Sequence, residues 1–149
     1  MTAIDTKQVS VGQANVVISV AWALQANPDM TMTEGVECAL DRLGWAKMCF
    51  LPDNLEFLRA GGRVSNAACL GSRIFSLHPC IEILDGKLMD TRKYRGTMVK
   101  VTVQMIGDYA EKYDLEREEL WVVYTVGLAD SVKESAAQAT EKCDFKTVN

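Results

Sequence analysis

Residues 55–96 read LEFLRAGGRVSNAACLGSRIFSLHPCIEILDGKLMDTRKYRG. Leu55 and Leu58 belong to a short helix that Asp53 or Asn54 is placed to cap. Gly61-Gly62 ends it, because glycine takes the left-handed conformation at little cost. Ser65 or Asn66 then caps another helix, with Ala67, Leu70, Ile74 and Leu77 on one face. His78-Pro79 breaks that helix, since the residue before proline avoids the helical region. Cys80 to Leu84 and Lys87 to Tyr94 flank Asp85-Gly86, a strong local signal for a β-hairpin.

Outward from this stretch, helices and strands alternate. Toward the N-terminus, Ile4 to Lys7 reads as a strand end. A helix runs from Ser10 to about Gln25 with Val16, Val20 and Leu24 on its buried face. Asn27-Pro28-Asp29 stops it. Thr31 or Thr33 caps a second helix with the stripe Val36, Leu40 and Leu43 and a stop at Gly44. Lys47 to Leu51 is a short strand closed by Pro52-Asp53. Toward the C-terminus, Thr97 to Tyr113 is a long helix with Val99, Val103, Ile106, Ala110 and Tyr113 inward. Leu120 to Val126 is apolar except at Thr125, as expected of a central strand covered on both faces. Ala129 to Cys143 is a last helix with Val132, Ala136, Ala139 and Cys143 inward. Phe145 to Val148 starts a further strand, and a strand beginning there leads to the expectation of a truncated fold. With one hairpin among alternating elements, the fold class is α/β, more narrowly α+β, with a mixed sheet and flanking helices.

Of the 149 residues, 48% are apolar, enough for a real core, and 24% are charged, which argues against global disorder. The formal net charge of -4 disfavours nucleic acid or an anionic membrane surface as main partner. No apolar run reaches membrane-spanning length, and Met1 to Gln8 lacks the pattern of a signal peptide, so a cytoplasmic location is expected. Five cysteines at 38, 49, 69, 80 and 143 form no C-x-x-C pair, so they read as free thiols in a reducing compartment, with no metal site and no cofactor.

The sharpest chemical feature is Gly61-Gly62-Arg63-Val64-Ser65. Two glycines permit a tight turn and close approach of the backbone to a ligand. Arg63 offers a planar fork of donors that matches a carboxylate or phosphate. Ser65 stands at a helix start, where free amides favour an anion. The plain alternative is a glycine C-cap, a surface arginine and a serine N-cap, and spacing alone favours it. His78, the single histidine, reads as structural, and the acidic run Glu116, Glu118, Glu119 as a solvated loop. Arg92, Lys93 and Arg95 read as solvated surface, with a phosphate or partner protein as the other option. No Walker-type or dinucleotide glycine loop is present.

The ordered motifs of residues 55–96 resemble the DegV family: a Leu-Glu-aromatic-Leu helix, Gly-Gly-Arg-aliphatic-Ser, a short helix, an apolar-x-Pro strand entry, an x-Gly-Lys hairpin and a Lys-x-Arg-Gly end. Ile4-Asp5-Thr6-Lys7 with the following Ser-x-Gly is similar to the family's earlier strand end and helix start. The resemblance implies a DegV-like C-terminal lipid-binding domain over residues 53–149, preceded by a remnant of an N-terminal Rossmann-like domain over residues 1–52. It further implies a carrier, not an enzyme. One long-chain fatty acid would lie with its carboxylate near Arg63, with Gly62 and Ser65 around it. Leu70, Ile74, Leu77, Ile81 and Ile83 are then candidates for an apolar tunnel around the tail. Some members present the acyl group to a fatty acid kinase, which is the partner implied. The family's Thr-Ser-x-x-Ser-Gly head-group segment and its final His-x-Gly-Pro-Gly strand are not in these residues. Two alternatives stand beside the carrier: a small anion- or phosphate-binding enzyme subunit, and a truncated fragment that self-associates into a homo-oligomer.

Overall fold

A computed structural model describes residues 2–63, 76–113, 115 and 117–149. In chain order the elements are α1 (Ser10–Ala26), α2 (Met32–Trp45), β1 (Cys49–Phe50), α3 (Glu56–Ala60), β2 (Leu77–Leu84), β3 (Lys87–Arg95), α4 (Met98–Lys112), β4 (Glu119–Leu120), α5 (Asp130–Thr140), a 3-10 turn (Glu141–Cys143) and β5 (Thr147–Val148). One sheet has the order β1-β2-β3, and a second pairs β4 with β5 in parallel. Asp85 and Gly86 both have positive φ, +49° and +75°. Such a two-residue turn matches the twist of antiparallel strands, so β2 and β3 form the expected hairpin. Antiparallel and parallel pairing both occur, as expected of a mixed fold.

The chain divides into two compact units, Met1–Cys49 with Glu82–Met89, and Phe50–Ile81 with Asp90–Asn149. In the first, α1 packs on α2. The start of α2 is a complete capping box: the Thr31 hydroxyl accepts the Glu34 amide at 3.3 Å, and the Glu34 carboxylate accepts the Thr31 amide at 2.7 Å. The bond from the Thr31 amide and a second one that the Thr31 hydroxyl donates at 2.7 Å hold the Glu34 carboxyl below its usual range, the backbone bond contributing most. The inward stripe of α2 is Val36, Ala39 and Leu43, while the expected Leu40 is 55% exposed. In α1, Val16 is buried and Val20 half-buried, but the expected Leu24 is exposed. Ile4 to Lys7 forms no strand. Asp5 instead closes a local turn by accepting the Lys7 amide at 2.9 Å.

In the second unit, α4 packs on α5. Val132, Ala136, Ala139 and Cys143 are buried, as their spacing predicts. On α4, Ala110 is buried and Val99, Ile106 and Tyr113 are half-buried, as expected of the inward face, but Val103 of that face is 40% exposed. Val101 and Thr102, which were not expected to face inward, are buried as well, Val101 completely. Arg117 ties this unit's ends together: its guanidinium donates to the carbonyls of Cys143 and Ala110 and lies over the Phe145 ring.

Two further expectations are corrected. Leu77 lies in β2, not in a helix, so β2 starts before the His78-Pro79 pair. Leu120 to Val126 is not a long central strand. Among the described residues only Glu119 and Leu120 pair with β5, and Val123 and Val126 are exposed. A strand is held by neighbours, and beyond the bond from the Val122 amide to the Asn149 carbonyl no strand partner lies alongside among the described residues. The doubly covered central strand is β2, where Pro79 through Ile83 are buried in succession.

Candidate functional site

The glycine corner is built by the end of α3. Asn54 accepts the Glu56 amide at 3.1 Å, which starts the helix. At its end the Gly62 amide donates to Arg59 O at 2.9 Å and the Arg63 amide to Leu58 O at 2.8 Å, with Gly62 at φ +74°. This is the paired closure of a Schellman motif, which satisfies carbonyls that the helix end would leave open. The two glycines therefore have different tasks. Gly62 supplies the left-handed turn. Gly61 leaves room for Arg63, since a Cβ there would meet Arg63 Nη1 at 3.3 Å. The Arg63 guanidinium folds back and donates to the Gly61 carbonyl. Arg63 is exposed, and a guanidinium with one N–H group engaged keeps further donors in its fork.

Of the sequence-derived site residues, Gly62 and Arg63 come together in this corner. Ser65, Leu70 and Ile74 lie outside the described residues, as does Cys69. Leu77, Ile81 and Ile83 alternate along β2 and so share one of its faces. Leu77 is half-buried, and Ile81 and Ile83 are 4% and 7% exposed.

The basic run of β3 is partly neutralised. Arg92 pairs with Asp108 at 2.6 Å and Lys93 with Asp90 at 3.1 Å. Between β3 and α4 lies a network that the sequence did not announce. Tyr94 joins this pair: the Arg92 guanidinium lies 5.9 Å from its ring centre, and Arg92 and Asp108 both act on its hydroxyl. Burial pushes the Tyr94 hydroxyl up to about 12, Arg92 opposes that rise, and Asp108 adds to it. Sixteen positions separate Arg92 from Asp108, so no short motif signals the pair. Glu82 is a second missed residue, a carboxylate buried in β2 that holds an interaction there.

Of the acidic run, Glu116 lies outside the described residues, the exposed Glu118 pairs with Lys146, and Glu119 accepts the Asn149 side-chain amide at 2.8 Å, so the two meet the residues that flank β5. His78 sits in β2, with Nδ1 buried and without a hydrogen-bond partner among the described residues. Among the described residues Cys38, Cys49, Cys80 and Cys143 form no disulfide, and burial raises the Cys143 thiol above its usual range, with Arg117 opposing. Among the described residues no group of three or more His, Cys, Asp or Glu is arranged to hold a metal, and no helix is long and apolar enough to cross a membrane.

No curated protein matches the chain. Solved structures do. A DegV-family protein from Ruminococcus gnavus, refined with vaccenic acid, superposes with a TM-score of 0.78 at 22% identity, covering 99% of this chain and 52% of its own. A DegV lipid-binding protein from Thermotoga maritima gives 0.70 at 22% identity over 93% of this chain and 47% of its own. A DegV-family protein from Thermus thermophilus, described for fatty acid binding, gives 0.77 at 19% identity over 99% and 52%. At these identities the likeness shows a shared fold, and the chain spans about half the length of those proteins. The family model that matches is described as an uncharacterised protein of the DegV family, and it runs over residues 1–149, the whole of this sequence, so the chain belongs to the DegV family.

Proposed function

We propose that this chain takes part in binding one long-chain fatty acid, as a carrier that does no chemistry of its own. The observation that carries this reading is the DegV family match over residues 1–149. The lipid- and fatty-acid-binding descriptions of the Thermotoga and Thermus relatives supply the ligand class. Arg63 is assigned to the carboxylate, since it is exposed and anchored beside a fixed turn, and its remaining N–H groups suit two carboxylate oxygens. Gly62 and Ser65 belong to its surroundings. Leu77, Ile81 and Ile83 on one face of β2, with Leu70 and Ile74, are assigned to the tail. Each methylene taken out of water contributes about 0.8 kcal/mol, so tail burial dominates affinity and the arginine sets head-group choice. In the same reading a domain boundary falls near Asp53, and the bound acyl group is presented to a fatty acid kinase.

The test is native mass spectrometry of the purified chain with solvent extraction of bound lipid, followed by Arg63→Ala. The variant is expected to lose affinity for a fatty acid by about tenfold, the size of one charged hydrogen bond, while binding the matching fatty alcohol almost unchanged. Equal losses for acid and alcohol would remove Arg63 from the head-group role. A chain that neither co-purifies with nor takes up fatty acid would remove the carrier reading for these residues.

A further inference from the structure

The backbone requires glycine at position 62 but not at position 61. Gly61 sits at φ -78° and ψ 0°, a conformation that L residues take at helix ends and in type I turns. Its amide closes the helix by donating to Phe57 O at 2.9 Å, as any residue's amide could. What a side chain at 61 would disturb is Arg63. A Cβ there would stand 3.3 Å from Arg63 Nη1 and 3.6 Å from Arg63 Cδ, with the Phe57 carbonyl at an ordinary 3.4 Å. The Arg63 side chain thus lies across the bare Cα of Gly61, and its Nη1 donates to the Gly61 carbonyl. An exposed arginine ordinarily samples many rotamers and loses that freedom when a ligand fixes it. The seat on Gly61 removes part of that freedom beforehand.

We propose that Gly61 is a positioning residue of the head-group site, whose missing side chain lets Arg63 be ordered before the acid arrives. The inference rests on the assignment of Arg63 to the carboxylate. A guanidinium held through Nη1 still has Nε and Nη2 side by side, the two parallel donors that meet two carboxylate oxygens. The Gly61 carbonyl sets the direction of that edge, so binding the acid orders less of the side chain. A fatty alcohol offers no carboxylate to the edge and gains nothing from the seat. The two glycines then divide the corner between them. Gly62 shapes the backbone, and Gly61 makes room for the side chain that the backbone carries. A methyl group at 61 would crowd the guanidinium off its seat, while the helix end keeps its bonds.

The experiment is a double-mutant cycle on the full chain, stripped of lipid: wild type, Gly61→Ala, Arg63→Ala and the double variant. Each is titrated with oleic acid and with oleyl alcohol by calorimetry. Gly61→Ala is expected to lose about fivefold in affinity for the acid, the cost of ordering one long side chain, and nothing for the alcohol. In the Arg63→Ala background the same change is expected to have no effect on either ligand. Its melting temperature should equal or exceed that of the wild type, since alanine fits this φ and ψ and restricts the unfolded chain. Unchanged acid affinity in Gly61→Ala would overturn the proposal. So would a loss shared by the alcohol, or one that persists without Arg63, because position 61 would then act on the fold alone. Where Arg63→Ala is selective for the acid and Gly61→Ala is silent, only this proposal falls. Where Arg63→Ala weakens acid and alcohol alike, or the wild type binds no acid, the head-group assignment falls with it. A second readout needs neither variant nor ligand. NMR relaxation of Arg63 Nε in the wild type is expected to show an ordered side chain, and the mobility of a free arginine would overturn the proposal.

Discussion

Gly62 holds φ at +74°, a conformation that costs an L side chain about 1 kcal/mol or more. No atom stands within 4 Å of where its Cβ would lie, so the cost of Gly62→Ala is conformational and not steric. Gly62→Ala is therefore expected to destabilise the chain by about 1 kcal/mol in a denaturant titration, without a change in the denaturant slope. The turn itself was legible, because Gly-Gly after an apolar helix stripe has few other readings. The position of the Arg63 guanidinium over Gly61 was not, since a rotamer is chosen by its surroundings and leaves no pattern in the chain. The same holds for Tyr94. A tyrosine in an apolar-to-charged strand announces neither the arginine two residues before it nor the aspartate on another element.

Helix α4 shows where periodicity stops deciding. Its length was legible from Gly96 and the β-branched run that follows, but the burial of Val101 and Thr102 in place of Val103 was not. Val101→Ala is expected to cost about 2 kcal/mol, because Val101 is fully buried. Val103→Ala should move stability by less than about 0.5 kcal/mol, as for an ordinary surface change. Thermal melts of the two variants check the assignment, and a reversal of that order would return Val103 to the inward face. Helix α5 was easier to read, because its alanines leave one face able to approach closely. The hairpin was legible because Asp-Gly specifies the turn locally. The misread stretch Leu120 to Val126 has the composition of an inner strand, but composition reports what a segment tolerates, whereas pairing depends on what lies beside it.

At the scale of the whole molecule, the pH dependence of stability has one predicted feature on its alkaline side. Tyr94 keeps its proton up to about 12 in the folded chain, whereas an unfolded tyrosine loses it near 10. Below pH 10 both states are protonated and the contribution is fully present. Between 10 and 12 the unfolded chain binds fewer protons than the folded one, so stability falls as pH rises, by on the order of 2 kcal/mol. Tyr94→Phe is expected to flatten that part of the curve relative to the wild type, as measured by urea unfolding at stepped pH. An unchanged slope would mean that the hydroxyl is more open to water than its burial indicates. The mixed pairing of the sheets also sets an order of assembly. The β2–β3 hairpin closes over two residues, and hairpins form in about 1–10 μs. The β4–β5 ladder joins Glu119 to Thr147, and that parallel pair waits until the intervening α5 has folded back. Backbone amides in the hairpin should therefore gain protection from hydrogen exchange early in refolding, and those of Val122 and Asn149 should gain it last.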